Sequence, residues 1–460
     1  MIPIDGLPVL TAAEMRAAEQ AAMVGEVTEA TLMDRAGSAI AQAVARLAAG
    51  REILVLCGPG NNGGDGYIAA AALKRQGLAV RVASSEAPRS AGAGRAAAIW
   101  GGAVEPLDGT QPAPVLVDAI FGTGLSRPPS DEVQDTLTRF AEAAWLRIAV
   151  DLPTGIATDN GKALGKVPRF DVTLALGAVK PSHLLQPSAS AMGQVRLLDI
   201  GIATHSQARA LTRPNLPEPD ANSHKYSRGM VAVMAGSMSG ASELAALAAL
   251  RAGAGYVLHL ASGGRPGSAA PHAIVRRDYA PDALDEDRIG AVVIGPGLGR
   301  DRDASERLEA ALASGRPLVI DGDALRLVEL ATLATHHGPR ILTPHGGEFV
   351  HLFGEVTDDK LTATRRAARQ SGAVVVHKGA DTVIAAPDGQ AILCPEASPW
   401  LSTAGTGDVL AGAVGAMLAA GLEPLAAAEA GVWLHAQAAR AGGKAFIADD
   451  LADALSAVRG

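Results

Sequence analysis

The stretch CGPGNNGGDGYIAA, residues 57–70, decides how the first half of the chain folds. Gly58, Gly60 and Gly63 make G-x-G-x-x-G, the apolar run EILVLC (52–57) leads into it, and an apolar helical pattern begins after Gly66. Strand, glycine turn and helix in that order let bare amides and a helix N-terminus receive a pyrophosphate. A ribose-binding acid belongs about 20 positions further on, and Glu86 follows the next strand-like run, LAVRVAS (78–84). Yet Asn61, Asn62, Gly64 and Asp65 crowd this turn with amides and a carboxylate that would repel a phosphate. Asp65 sits where a helix N-cap belongs, so it either satisfies orphan amides or meets a ligand.

Outward from that turn, strand-like runs alternate with Ala-rich helical windows such as LMDRAGSAIAQAVARLAA (32–49). The runs are PVLVDAIFG (114–122), RIAVDLPTG (147–155), DVTLALG (171–177) and GQVRLLDIG (193–201). Alternation at this spacing predicts crossover units and a mostly parallel sheet in a Rossmann-like three-layer sandwich. The pattern stops at ATHSQARALTRPNLPEPDANSHK, whose three prolines read as a linker near residues 203–222. A second α/β unit follows, with strand candidates GMVAVMAG (229–236), GYVLHLAS (255–262), AVVIGPG (291–297), PLVIDGD (317–323), RILTP (340–344) and AVVVHKG (373–379). It is expected to end in two Ala- and Gly-rich helices after residue 407. The divided pattern predicts domains at 1–210 and 211–460, and 460 residues exceed what one core supports.

Composition narrows the function. Hydrophobic residues make up 48% of the chain and aromatics 3%, so Ala, Val and Leu must fill the cores. A formal charge of −8 with no basic run argues against nucleic acid. Cys57 and Cys394 stand far apart without C-x-x-C spacing, which supports neither a disulfide framework nor a zinc site and fits the cytoplasm. The N-terminus lacks a basic, apolar leader, and the longest apolar stretch, VLAGAVGAMLAAGL (409–422), is shorter than the ~20 residues of a membrane span. No membrane partner is expected.

In open α/β sheets ligands bind outside the carboxyl ends of the strands. In the first domain those ends deliver Asn61 to Asp65, then Asp118 with GTGLSRP (122–128), then Asp151 with PTG. A carboxylate that closes an apolar run is costly without a task or a partner, although each could instead cap the following turn. One carboxylate with Asn62 and Thr154 oxygens suits a large monovalent cation better than Mg²⁺.

The motifs GPGNNGGDG, DAIFGTGL and VDLPTG, preceded by LMDRAG, resemble the NAD(P)H-hydrate epimerase domain over about residues 10–205. The resemblance implies that Asn61, Asn62, Gly63, Gly64, Asp65, the loop Gly122, Thr123, Gly124, Leu125, Ser126, Arg127, Pro128, and Asp151 bind a hydrated nicotinamide dinucleotide as a damaged substrate. It also implies a K⁺ held by Asn62, Asp118 and Thr154, the last standing where the family commonly has serine. Asp151 would move the protons of epimerisation.

In the second domain TAGTGDVLAG (403–412) sets Gly405, Gly407 and Asp408 at the start of a helical pattern, which offers an anion hole beside a base or a helix cap. HKGADTV (377–383) brings Lys378 and Thr382 to a strand end as phosphate partners, and LTPHGGEF (342–349) brings His345 and Glu348. No G-x-x-x-x-G-K-[ST] occurs, so this is not a P-loop enzyme. Together with HKYSRG (224–229) and GPGLG (295–299), these segments are similar to the ADP-dependent NAD(P)H-hydrate dehydratases, of ribokinase-like fold, over about residues 222–458. The likeness implies nucleotide contacts at Lys378, Gly379, Ala380, Asp381, Thr382 and Gly407. Ala241, Gly299, His345 and Asp408 would face the hydrate, with Asp408 as base, ADP or ATP as co-substrate, and Mg²⁺.

One domain then equilibrates the epimers and the other consumes one of them. The expected partners are hydrated NADH or NADPH and ADP, in a homo-oligomer. The alternatives are a ribokinase-like small-molecule kinase, and a first domain that is a non-catalytic dinucleotide-binding or oligomerisation module.

Overall fold

The computed structural model describes every residue except 25, 26, 262–270, 336 and 396. The last residue of the predicted run GYVLHLAS therefore lies outside the described residues. The chain divides into two compact units, Met1–Ala210 and Leu211–Gly460.

The first unit is built on β1 (Ile53–Cys57), β2 (Val80–Ser84), β3 (Val104–Pro106), β4 (Val115–Ala119), β5 (Leu146–Val150), β6 (Val172–Leu176) and β7 (Gln194–Leu198). They pair in the order β3-β2-β1-β4-β5-β6-β7, and every pairing is parallel. Alternate residues of β1 serve opposite faces, as strand geometry requires. Ile53, Val55 and Cys57 join helices Glu29–Ala48 and Asn61–Arg75 in one core, whereas Leu54 and Leu56 meet helix Asp131–Ala143 in another. The connections reverse direction between β1 and β4, which opens a crevice at their carboxyl ends.

The glycine-rich stretch differs from its sequence reading. Helix Asn61–Arg75 starts at Asn61 with Gly60 as N-cap, so NNGGDG is the first turn and more of the helix itself. Asp65 is thus a full turn inside the helix and not its cap. Glycine content disguised the start, and close packing explains it: a methyl at Gly63 would lie 1.9 Å from the Gly58 carbonyl oxygen, and one at Gly58 would lie 2.0 Å from the Ile120 oxygen.

The predicted linker is also more ordered than its prolines suggest. Within it β8 (Ala208–Ala210) runs antiparallel beside Leu7–Val9, with Val9 N donating to Ala208 O at 2.8 Å and Ala210 N to Leu7 O at 2.9 Å.

The second unit carries β9 (Met230–Met234), β10 (Tyr256–Ala261), β11 (Ile274–Asp278), β12 (Ile289–Ile294), β13 (Leu318–Ile320), β14 (Arg340–Leu342), β15 (Val374–His377), β16 (Thr382–Ala385) and β17 (Ala391–Cys394). Their order is β11-β10-β9-β12-β13-β14-β15-β16-β17. Pairings are parallel up to β15, after which β16 and β17 form an antiparallel extension. Helices Ser239–Arg251, Thr406–Ala419, Pro424–Ala441 and Ala448–Arg459 share a core with these strands. Three helices follow residue 405 where the sequence suggested two. Gly442 and Gly443 break the Ala-rich run, and Ile447–Asp450 starts the third helix with the Asp450 carboxylate accepting from Ile447 N at 3.0 Å.

Candidate active sites

In the first unit a cavity of about 750 Å³ opens at the β1/β4 switch point. Its wall includes Asn61, Asn62, Asp65, Gly122, Thr123, Gly124, Leu125 and Asp151, so three strand ends meet as their positions implied. Gly63 and Gly64 are buried and are not part of that wall. Ser126, Arg127 and Pro128 continue the loop at the surface. Glu86 is exposed and pairs with Arg89, and of the two Arg89 lines the cavity, not the acid that a dinucleotide fingerprint would use.

Asp151 is the centre of this wall. It follows β5 in the left-handed region at φ 63°, an arrangement that costs a non-glycine residue about 1–3 kcal/mol and persists only when its surroundings enforce it. Here they do: Asp151 N donates to Leu174 O at 2.8 Å, and the His183 ring meets the Asp151 carbonyl at 2.7 Å. Because Lys180 N donates to His183 Nδ1 at 2.9 Å, His183 Nε2 carries the proton and donates to that carbonyl. Burial pushes the His183 imidazole down to about 4, which keeps it neutral in this role.

The Asp151 side chain is equally constrained. Oδ1 accepts from Lys180 Nζ at 2.6 Å and Leu176 N at 3.3 Å, while Oδ2 accepts from Thr123 N at 3.2 Å and from the Thr123 hydroxyl. Burial favours the neutral carboxyl, but the ammonium and these donors outweigh it and hold Asp151 below the ordinary carboxylate range. Asp65 and Glu19 share the cavity and move the opposite way. Burial comes first for both, and for Asp65 the Asp151 charge comes next. The pocket therefore combines an ionised carboxylate, an ammonium and two acids biased toward protonation.

Asp118, fully buried at the end of β4, has a separate set of partners and is not part of that cavity wall. Its Oδ1 accepts from Thr154 Oγ1 at 2.8 Å and Ile120 N at 3.1 Å, and its Oδ2 accepts from Thr154 N at 2.8 Å. These donors are neutral, so burial raises the carboxyl to about 6. Nearby, Asn62 Nδ2 is buried with no hydrogen-bond partner among the described residues, and a methyl on Gly122 would sit 3.0 Å from Asn62 Oδ1. A buried carboxylate whose partners are one hydroxyl and two backbone amides has no cation of its own, a lack that a large monovalent cation would fit.

In the second unit charged groups from three other segments act on Asp408: Asp321 with Asp323, Glu348, and Lys378. Helix Thr406–Ala419 begins with Gly405 at φ 90° as N-cap and no side-chain cap, so Asp408 lies in the first turn and not at the cap. A methyl on Gly407 would approach Lys378 Nζ to 3.3 Å, which sets the ammonium against this turn. Lys378 Nζ donates to Asp321 Oδ1 at 2.6 Å. His345 caps helix Gly346–Phe353, and its backbone N donates to Glu348 Oε2 at 2.8 Å. Asp323 Oδ2 accepts from Gly299 N at 3.0 Å, while Ala241 abuts Gly297.

Burial drives the Asp408 carboxyl up to about 7. Asp321, Glu348 and Asp323 push the same way, and Lys378 pulls back. A carboxylate that titrates near neutrality at a helix N-terminus can accept a proton there. Of the other predicted nucleotide contacts, Gly379 and Ala380 are exposed, and Thr382 is half-buried at the start of β16. The Asp381 carboxylate turns inward to Lys360 Nζ at 2.5 Å.

Sequence reasoning passed over Lys180, Glu19 and Asp321. Lys180 follows the apolar end of β6 and Asp321 closes PLVID, so the strand-end rule that found Asp118 and Asp151 reaches both. Glu19 belongs to an amphipathic helix, Ala12–Ala22, and carried no such signal.

The fold and these two clusters define a class: a chain of two α/β units, each with charged groups gathered at strand ends beside a glycine-rich helix start. A family profile described as NAD(P)H-hydrate dehydratase matches residues 231–458, and one described as YjeF-related protein N-terminus matches residues 29–182. A bifunctional NAD(P)H-hydrate repair enzyme of Moorella thermoacetica is 34% identical over 97% of this chain and 95% of its own length. The Escherichia coli protein of that description is 33% identical over 96% and 92%. The chain belongs to the family of bifunctional NAD(P)H-hydrate repair enzymes. Among solved structures, a ribokinase-like superfamily protein from Enterococcus faecalis covers 56% of the chain at 23% identity, 96% of its own length and a TM-score of 0.50, which shows the fold of the second unit. An ADP/ATP-dependent NAD(P)H-hydrate dehydratase from Bacillus subtilis, co-crystallized with ATP/Mg²⁺, covers 53% of this chain and 93% of its own at 32% identity and a TM-score of 0.49.

Proposed function

We propose that residues 1–210 epimerise the hydrates of NADH and NADPH at C6, and that residues 211–460 dehydrate the S epimer at the expense of ADP. The observation that carries this reading is Asp408: a carboxyl near neutrality, in a first helical turn, beside an ammonium anchored elsewhere. In the proposed step Asp408 takes the proton of the C6 hydroxyl while the hydroxyl oxygen attacks the β-phosphorus of ADP, releasing AMP. The ring nitrogen lone pair then expels phosphate with cleavage of the C6–O bond. Loss of a proton from C5 restores the double bond, so the elements of water leave in phosphate and a proton. Lys378 and the Gly405–Gly407 amides are proposed to supply positive charge to the transferring oxygens. Mg²⁺ brought in with the nucleotide would supply further neutralisation of the phosphate charge. No group of three or more His, Cys, Asp or Glu able to hold a metal occurs among the described residues, so the metal is expected to arrive with the nucleotide.

In the first unit the Asp151–Lys180 pair supplies a base and an acid side by side, which suits proton transfer to and from the C6 hydroxyl and ring. Asn62, Asp118 and Thr154 are proposed to hold K⁺, whose charge would offset that of Asp118. Asn61 to Asp65, Gly122 to Pro128 and Asp151 are proposed to contact the hydrate. Ala241, Gly299, His345 and Asp408 are proposed to do so in the second unit. Lys378 to Thr382 and Gly407 are proposed to contact the nucleotide, Asp381 through its backbone. Among the described residues no helix is long and apolar enough to cross a membrane. The two free buried cysteines support a cytoplasmic setting, and a homo-oligomer is expected.

The test supplies the purified chain with an epimeric mixture of NADH hydrate and ADP. Rapid recovery of all the reduced-nicotinamide absorbance supports both activities, about half supports dehydration alone, and a stable phosphorylated product favours the kinase alternative. Asp408→Ala should abolish recovery and leave epimer exchange intact, and Asp151→Ala should do the reverse. Crossed results would overturn the division of labour.

A further inference from the structure

Asp321 follows β13, is 2% exposed and keeps its backbone in the ladder, with its N donating to Ile294 O at 3.0 Å. One carboxylate oxygen takes two donors from the next two strand ends, Thr343 Oγ1 at 2.7 Å and Lys378 Nζ at 2.6 Å. The Lys378 backbone is fixed too, its N donating to Pro344 O at 2.8 Å. The ammonium nevertheless lies against Gly407, one residue from Asp408. Two carboxylates thus compete for one lysine, and the oxygen already oriented by Thr343 has it.

We propose that Asp321 is a positioning residue for dehydration: it holds the Lys378 ammonium off Asp408, leaving that carboxylate open to the substrate hydroxyl. The inference rests on the dehydratase reading of this unit. The other charged groups facing Asp408 are committed. Glu348, from helix Gly346–Phe353, accepts from His345 N, and Asp323 accepts from Gly299 N and from Arg300 Nε at 2.8 Å. His435, from helix Pro424–Ala441, meets Thr406 O at 2.9 Å and is neutral, burial pushing its imidazole down to about 4. The Asp321–Lys378 pair is therefore the contact whose rearrangement would put a cation on Asp408. An ammonium there favours the ionised form, so Asp408 would hold its charge to lower pH and be a weaker base.

The experiment uses the full chain with the S epimer, ADP and Mg²⁺, and follows kcat/KM against pH. Asp321→Asn keeps the shape and removes the charge. Its acid limb is expected to move down by about one pH unit or more, and its plateau to fall roughly tenfold or more. Because the Asp321 charge itself raises Asp408, the deciding variant is Thr343→Val, which removes one anchor, leaves that charge and should move the limb the same way by less. A lower rate with the limb in place, in whichever variant folds, overturns the proposal and leaves Asp321 a merely structural residue. If the unaltered chain dehydrates nothing, the dehydratase reading falls and this inference with it.

Discussion

Asp118 and Asp151 end adjacent parallel strands yet have opposite proton affinities, because their partners differ. Asp151 has a buried ammonium at 2.6 Å, while Asp118 has hydroxyl and amide donors only. Both positions were legible, since an apolar run that closes on a carboxylate demands a reason. Which one carries a cationic partner was not, because Lys180 lies 29 residues from Asp151 in sequence and is brought to it by the β5–β6 crossover. Removing one member of a buried pair strands the other charge and costs about 3–5 kcal/mol. Lys180→Met should lower the urea midpoint accordingly and stop epimer exchange, and Asp151→Asn added to it should recover part of the stability. A double variant no more stable than Lys180→Met would refute the pairing.

Asp118 yields a pH-dependent prediction. Its folded carboxyl, about 6, stands above the unfolded 3.8, so its contribution is favourable below the unfolded value and is lost as pH rises through 6. Above that, the ionised group costs on the order of 3 kcal/mol. A bound K⁺ should offset that cost. Replacing choline with K⁺ at constant ionic strength should raise the melting temperature of the first unit at pH 8, do little at pH 5, and do nothing for Asp118→Asn. Equal melting in both salts at pH 8 would remove K⁺ from the site.

At the scale of elements, the strand-like runs were the most readable, because continuous apolar stretches such as ILVLC have few alternatives in a sheet covered on both faces. What stayed hidden was short or disguised. β3, β11 and the β16–β17 extension are three to five residues long and include Ala, Arg, Glu or Pro. The start of helix Asn61–Arg75 was hidden by glycines that weigh against a helix on propensity alone. Tertiary approach overrides propensity there, and the cost of ignoring it is testable. In Gly63→Ala the new methyl meets the Gly58 backbone, which cannot swing aside as a side chain would. Overpacking of this kind typically costs 1–3 kcal/mol, and about 3 or more is expected against main chain. Epimer exchange should be lost while dehydration of the S epimer continues. Wild-type exchange by Gly63→Ala would show that the turn relaxes freely.

At the scale of the molecule, the break in strand–helix alternation around residues 203–222 brackets the division at Ala210–Leu211, although the prolines concealed the short strand inside it. Each unit owns one free cysteine, and each is buried in or beside its sheet: Cys57 ends β1 and Cys394 ends β17. Burial pushes the Cys57 thiol well above its ordinary range and the Cys394 thiol up to about 12, so neither offers thiolate to a reagent in the native state. Labelling then requires that the surrounding unit open, and the two thiols report on the two units separately. A ligand that binds only folded protein suppresses opening by RT ln(1 + [L]/Kd), about 2.7 kcal/mol or nearly a hundredfold at a hundred times Kd. If the second unit binds ADP with Mg²⁺, saturating nucleotide in mild urea should slow labelling of the Cys394 peptide by roughly that factor and leave the Cys57 peptide unchanged. Mass spectrometry of the two peptides resolves them in one sample. Equal protection of both would mean that the units open as one, and protection of Cys57 alone would place the nucleotide in the other half of the chain.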